Sequence, residues 1–204
     1  MKRLLTLTVV MLVLALCAPS YGYVLVYKVT GKMKAVEWSG STLGNTSVKG
    51  YLAINIDDSN DANYAQLILY GKDTSDNLVY FLDGLSSGED ITWNVTGDVI
   101  GVDVWDYTDP FEYEFMMTGK VKLVDVGYGL SNKKTAASSL KGSLVSWWGQ
   151  LLDGNQELFG SGAATMTLDT KQTKTANIGL SSVDDVITTL TDELEAKGYD
   201  PIIL

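Results

Sequence analysis

The sequence predicts an all-β fold, an antiparallel barrel or two-sheet sandwich of roughly ten strands built from two related halves, with one C-terminal amphipathic helix. Three observations carry that prediction. Apolar and polar residues alternate over long stretches, a period of two that belongs to strands with one buried face. Two of those stretches share short motifs in the same order. A helical period occurs near the C-terminus. The 204-residue chain is 46% hydrophobic and 20% charged, the composition of a protein able to bury a core.

Residues 1–22 read as a signal peptide. Lys2 and Arg3 precede an apolar run from Leu4 to Leu16, which is short for a helix crossing a hydrocarbon core of about 30 Å. Ser20 and Gly22 are small and place cleavage before Tyr23. Leu14-Ala15-Leu16-Cys17 resembles a lipoprotein acylation motif, although Leu16 is bulky where a small residue is usual; acylation at Cys17 is the alternative. The expected location is secreted or periplasmic. Cleavage before Tyr23 removes both leading cations and the one cysteine, so the formal charge moves from −10 to −12 and no disulfide can form. A charge of that sign disfavours nucleic acid and anionic lipid as partners. The chain contains no histidine. This excludes the Ser-His-Asp triad, the Cys-His pair, histidine-ligated metals and a histidine pH switch.

The first strand runs from Tyr23 to Glu37. Tyr23, Leu25, Tyr27, Val29, Met33 and Ala35 share one face, opposite Lys28, Thr30, Lys32 and Lys34. The pattern returns from Phe111, where Phe111, Tyr113, Phe115, Met117, Val121 and Leu123 oppose Glu112, Glu114, Thr118, Lys120 and Lys122. Val29-Thr30-Gly31-Lys32-Met33-Lys34 aligns with Met117-Thr118-Gly119-Lys120-Val121-Lys122 at an offset of 88 residues, an even number that keeps every side chain on its face. Val48-Lys49-Gly50-Tyr51-Leu52 then aligns with Leu140-Lys141-Gly142-Ser143-Leu144 at an offset of 92. Gly31 and Gly119 interrupt matching apolar faces, which predicts twin bends in a curved sheet.

Between these echoes lie more strands. Tyr64 to Tyr70 is apolar on both faces, as a central strand should be. Leu78 to Leu82 follows the turn-rich run Asp73 to Asn77, and Ile91 to Val95 and Val99 to Trp105 flank a hairpin turn at Thr96-Gly97-Asp98. Asp153-Gly154-Asn155 is a turn, Phe159-Gly160-Ser161-Gly162 starts a strand rather than forming a phosphate loop, and Ala163 to Leu168 is a late strand. The helix starts at the cap Ser182, with Asp184 and Asp185 in its first turn, and presents Val183, Val186, Ile187, Leu190 and Leu194 on one stripe before Gly198 stops it. Its expected role is to cover an open end or edge of the sheet. The organisation is therefore a leader (1–22), one β domain (23–180, with halves near 23–110 and 111–180), a packed helix (181–198) and a tail (199–204).

Chemistry-bearing residues are sparse. Asp57, Ser59 and Asp61 alternate like the first ligands of a calcium loop, but Ala62 and the missing twelfth-position glutamate leave plain turn chemistry as the better account. Glu112 and Glu114 lie about 7 Å apart along one strand, a spacing that glycoside hydrolases use, on a face that also carries Lys120 and Lys122. Trp147 shares parity with Lys141 and Ser143, so it is the tryptophan of the Trp147-Trp148 pair expected at the surface, where a ring can stack on a sugar or anchor an interface. Trp105 and Tyr107, near a turn, are further candidates for ligand binding. Asn45 and Asn94 head glycosylation sequons.

No catalytic residue, metal site or cofactor is assigned. The expected function is an exported, non-enzymatic binding or envelope-structural module, whose partner could be a carbohydrate, a small apolar ligand or an envelope protein. One alternative is a soluble carrier with a cavity lined by Tyr27, Val29, Met33, Tyr113, Phe115, Met117 and Val121. Another is a carboxylate-dependent carbohydrate hydrolase using Glu112 and Glu114. The outward lysines, with a polar helix after the last strand, oppose an outer-membrane barrel. Intact-mass measurement of the exported protein should give a chain beginning at Tyr23 with no adduct; a lipid-bearing species beginning at Cys17 would replace the export reading with a membrane-anchored one.

Overall fold

Alternating side chains tie each strand to a face, and hydrogen-bonded neighbours then fix which faces add together. The computed structural model of the chain describes residues 22–36, 42–57, 59, 62–71, 78–86, 91–108, 111–127, 133–148, 157–198 and 200–203. The expected signal peptide and Cys17 lie outside the described residues. The strands are β1 (Tyr23–Val36), β2 (Thr42–Ile56), β3 (Ala62–Gly71), β4 (Leu78–Ser86), β5 (Ile91–Thr96), β6 (Val99–Thr108), β7 (Phe111–Asp125), β8 (Lys133–Trp148) and β9 (Glu157–Leu168). Helices α1 (Thr170–Gly179) and α2 (Val183–Glu195) follow, then β10 (Asp200–Ile203).

The strands form one sheet in the order β10-β4-β3-β2-β1-β9-β8-β7-β6-β5. Every neighbouring pair is antiparallel except β10 with β4. The sheet curls until β3 approaches β5 and β4 approaches β6, but no ladder joins those ends among the described residues. The architecture is thus one curled, half-barrel sheet, neither a hydrogen-bonded closed barrel nor a pair of separate sheets. Its concave side holds a single apolar cluster in which Leu25, Tyr27, Leu52, Leu67, Ile100 and Phe115 are fully buried. The β5–β6 hairpin turns at Gly97, the positive-φ residue (φ 62°) of a two-residue turn.

Two hairpins share one register. Gly31 pairs with Val48 as Gly119 pairs with Leu140, Val29 with Gly50 as Met117 with Gly142, and Tyr27 with Leu52 as Phe115 with Leu144. The likeness stops at these hairpins. The ladder between β7 and β8 shifts just past Gly119, and no such shift occurs at Gly31. A Cβ on Gly119 would collide with the Ser139 carbonyl on β8, whereas one on Gly31 would press on Ala163 of β9. The glycines are therefore not twin corners: each allows a close approach, to different strands. Val121 keeps the parity of Phe115 and Met117 and packs on the core; Val124, of opposite parity, packs there as well, while Leu123, expected inside, is 68% exposed.

Two helices stand where one was expected. In α2 the predicted stripe is observed, with Val183, Val186, Leu190 and Leu194 buried. Ser182 and Asp185 cap it reciprocally: the Asp185 N–H donates to Ser182 Oγ (3.1 Å) and the Ser182 N–H to Asp185 Oδ2 (2.9 Å). The helix covers a face rather than an edge, packing with Val24 and Val26 of β1, Ala53 of β2 and Ile68 of β3 into a second apolar cluster outside the curl. That explains why Tyr64 to Tyr70 is apolar on both sides. The edge belongs instead to α1. Strand β9 pairs with β1 only from Tyr27 to Ala35, so β1 runs on past its neighbour. The Val24 N–H donates to Asn177 Oδ1 (2.9 Å), Asn177 Nδ2 donates to the Val24 carbonyl (2.7 Å), the Val26 N–H donates to Thr173 Oγ1 (3.0 Å), and the Asp169 N–H donates to the Val26 carbonyl (2.8 Å). Asp169 also caps α1 and pairs with Lys28 at 2.8 Å. Across the gap, the Tyr23 hydroxyl donates to the Thr135 carbonyl of β8 (2.8 Å) and Tyr27 Oη accepts from the Ala137 N–H (3.4 Å).

The expected tail contains β10, which lies parallel against β4. Asn177→Ala should lower the unfolding free energy by about 2–4 kcal/mol, because it strands a buried donor and a buried acceptor of Val24. Ile178→Ala, next along the helix but 68% exposed, should change it by less than about 0.5 kcal/mol. Urea unfolding of the three proteins measures both, and equal midpoints for Asn177→Ala and wild type would mean that another group satisfies the β1 edge.

Candidate functional site

Register brings the aromatic candidates together with the glutamates. Tyr107 of β6 stands opposite Glu112 of β7, which stands opposite Trp147 of β8. One row along, Trp105 stands opposite Glu114, which stands opposite Val145. The next row holds Asp103, Met116 and Ser143. Within that face, on the convex side of the sheet, Trp105, Glu114, Val145, Asp103 and Ser143 are half-buried and Met116 is 46% exposed. Tyr107, Glu112 and Trp147 are placed by backbone and register, and their side chains lie outside the described residues. The sequence parity that points Trp147 outward does hold over the preceding residues of β8, where Lys141 is exposed and Leu140 and Leu144 are buried. Between β8 and β9 the register shifts at Ser146/Trp147, the kind of irregularity that re-aims side chains at the end of a ladder.

The electrostatics of this face follow from its partial burial. Desolvation pushes the Asp103 carboxyl above its ordinary range, and Asp103 Oδ1 has no hydrogen-bond partner among the described residues. Desolvation, then the charge of Asp103, pushes Glu114 upward as well. Asp103 and Glu114 are diagonal neighbours across β6 and β7, roughly 7 Å apart by strand geometry. Two carboxylates beside a half-buried indole can accept hydrogen bonds from the hydroxyl groups of a polyhydroxyl ligand.

Other sequence motifs fall elsewhere. Asp57 and Ser59 lie in the β2–β3 connection and Asp61 lies outside the described residues; among those described, no three His, Cys, Asp or Glu side chains gather as metal ligands. Asn94 is exposed on β5 and accepts a hydrogen bond from Thr96 Oγ1 (3.1 Å), while the Asn45 side chain lies outside the described residues. Of the residues assigned to an internal cavity, Tyr27, Val29, Phe115 and Met117 are buried in the core cluster; the side chains of Met33 and Tyr113 lie outside the described residues. No helix among the described residues is long and apolar enough to cross a membrane.

Sequence reasoning missed a pocket of about 430 Å³ between the α1–α2 turn and the sheet, with Val24, Asn55, Tyr64, Asn177, Leu180 and Val183 on its walls. Leu180, on its wall, ends α1 in the left-handed region (φ 52°), where glycine is usual. The signal was weak: Asp169 before a polar run is the cap of a helix whose buried face, Thr173, Ala176 and Asn177, has no apolar stripe.

No protein-family description matches the chain, and neither the curated proteins nor the solved structures contain a match to it.

Asp103 supplies a pH test. Its proton is held more tightly in the folded chain than in the unfolded one. The stability it contributes is complete below the ordinary carboxyl value of 3.8 and is lost as pH rises through the folded value. Asp103→Asn should therefore raise the thermal midpoint at pH 7 and leave it unchanged at pH 3. A rise of equal size at both pH values would assign the effect to something other than ionisation.

Proposed function

We propose that the chain is an exported β-protein that binds a glycan across the convex face of β6, β7 and β8, without chemically altering it. The observation that carries this reading is the register: Tyr107–Glu112–Trp147 and Trp105–Glu114–Val145 form adjacent rows on three neighbouring strands. Aromatic faces beside carboxylates match the apolar faces and equatorial hydroxyls of sugars. Export rests on Lys2, Arg3 and the apolar run that follows them, and places such a face where polysaccharides are met.

A carrier with an internal cavity has less support. Its proposed lining residues Tyr27, Val29, Phe115 and Met117 pack into one apolar cluster, and the pocket of about 430 Å³ lies outside the curl. The two hairpins β1–β2 and β7–β8, with their common register and aligned motifs, are read as copies of one ancestral hairpin, and the finer description of the fold as a roughly ten-stranded barrel of two halves rests on that duplication.

Affinity electrophoresis through gels containing soluble β-glucan, xylan or dextran tests the binding reading. The mature protein should be retarded by at least one polymer, and Trp105→Ala and Trp147→Ala should each weaken binding about tenfold, the loss expected for an aromatic anchor worth about 1.4 kcal/mol. Unretarded wild-type protein, or aromatic variants that bind as wild type does, would refute it. Release of soluble reducing ends in the same incubations would favour the hydrolase alternative.

A further inference from the structure

The two hairpins carry the same solvent-facing constellation. On the first, Thr30 stands directly opposite Lys49, with Lys32 two residues along. On the second, Thr118 stands directly opposite Lys141, with Lys120 two residues along. All six side chains are exposed. Thr165 of β9 pairs with both Thr30 and Lys141, so one row crosses five strands as Lys49–Thr30–Thr165–Lys141–Thr118. Adjacent strands lie about 4.8 Å apart, which puts the two constellations about 14 Å apart across the sheet.

Charge is segregated around this row. The sequences of β1, β2 and β8 contain no Asp or Glu, β9 has only Glu157 at its first position, and β7 has Glu112, Glu114 and Asp125 toward its two ends, away from Thr118 and Lys120. Lys32, Lys49, Lys120 and Lys141 form no ion pair among the described residues. A chain of net charge −10 does not need lysines gathered on one wall for solubility. Exposed cations that form no ion pair among the described residues, separated by hydroxyl groups, make a local positive field on an acidic molecule.

We infer that this row binds an anionic polysaccharide, with each Thr–Lys–Lys constellation taking one acidic group. The inference rests on the glycan-binding reading and adds the charge of the ligand and a second contact. The row adjoins the aromatic face: along β8, Lys141 is followed at alternate positions by Ser143, Val145 and Trp147. A polymer lying on β8 meets cations at one end and aromatic positions at the other. Serine and threonine between the lysines offer hydrogen bonds to sugar hydroxyls and no apolar group to insert among acyl chains, which favours a polysaccharide over a membrane.

The test uses the mature protein with dextran sulfate, unmodified dextran and phosphatidylglycerol vesicles, measured by titration calorimetry. Dextran sulfate should bind at least tenfold more tightly than dextran and should weaken at least tenfold between 50 and 500 mM NaCl, as expected for exposed charges. The double variant Lys49→Gln/Lys141→Gln should lose at least tenfold in dextran sulfate binding, with each single variant losing less, and with its thermal midpoint and any dextran binding unchanged. Equal binding of dextran and dextran sulfate, or a double variant that binds dextran sulfate normally, overturns the anionic assignment; if Trp105→Ala still weakens dextran binding in that case, the glycan reading survives. Binding of vesicles but of neither polymer overturns both.

Discussion

Four backbone groups decide how this fold ends. Strand β9 leaves the sheet at Leu168, while β1 continues to Tyr23. Val24 and Val26 then turn an N–H and a carbonyl each toward an empty strand position. Such groups, buried without partners, would cost more than the fold can spare. The chain meets the demand by turning into a helix at once: the Asp169 N–H closes one group, and Thr173 and Asn177, four residues apart on one helix face, close the other three. The Asn177 amide stands in for a peptide group of the missing strand. The position of α1 follows from this, and α2, tethered through the short turn at Leu180 to Ser182, is then placed over the outer face of β1 to β3.

That placement divides the convex surface. Over β1 to β3, α2 packs on a cluster of apolar side chains beside the buried Gln66, and the central strand is buried on both faces. Farther along β1, beyond the helices, the same outward parity carries Lys28, Thr30 and Lys32 into solvent. From β9 to β5 no helix covers the sheet among the described residues, and the outward positions include threonine, serine and lysine, the half-buried Trp105, Asp103, Glu114 and Val145, and the exposed Met116 and Ala163. One alternation therefore yields a packed region and an open one, and the difference lies in where α1 had to dock.

Most of the sheet was legible because its signal is local. Tyr27 to Thr30, Phe115 to Thr118 and Leu140 to Leu144 alternate as their burial does, and the Gly97 turn is encoded in its own residues. Helix α1 was not legible because its buried face is polar: Thr173 and Asn177 are chosen for backbone partners contributed by residues about 150 positions away in sequence. Leu123 was misplaced because the apolar alternation of β7 continues through it in sequence, whereas the core contacts pass from Val121 to Val124, three residues on. For the aromatic face, the sequence singled out Trp105, Tyr107, Trp147, Glu112 and Glu114 one at a time; only the register puts them in two rows. Sequence likewise supplied a net charge but not its distribution.

Net charge sums over the whole molecule, whereas a ligand at the surface feels groups within about a Debye length, about 8 Å at physiological ionic strength. On that scale Lys49 and Lys32 lie near Thr30, and Lys141 and Lys120 near Thr118, two cations at each constellation against the loop acid Asp98, whose carbonyl accepts from the Val121 N–H (2.8 Å). The antiparallel register makes both constellations possible: Gly31 and Gly119 sit between their Thr and Lys without adding bulk, and the opposing Lys-Gly steps bring Lys49 and Lys141 level with the threonines. A protein whose overall charge argues against anionic partners can in this way present one cationic row to them. The same curvature that packs Tyr27 and Phe115 inside holds that row as a fixed, convex track.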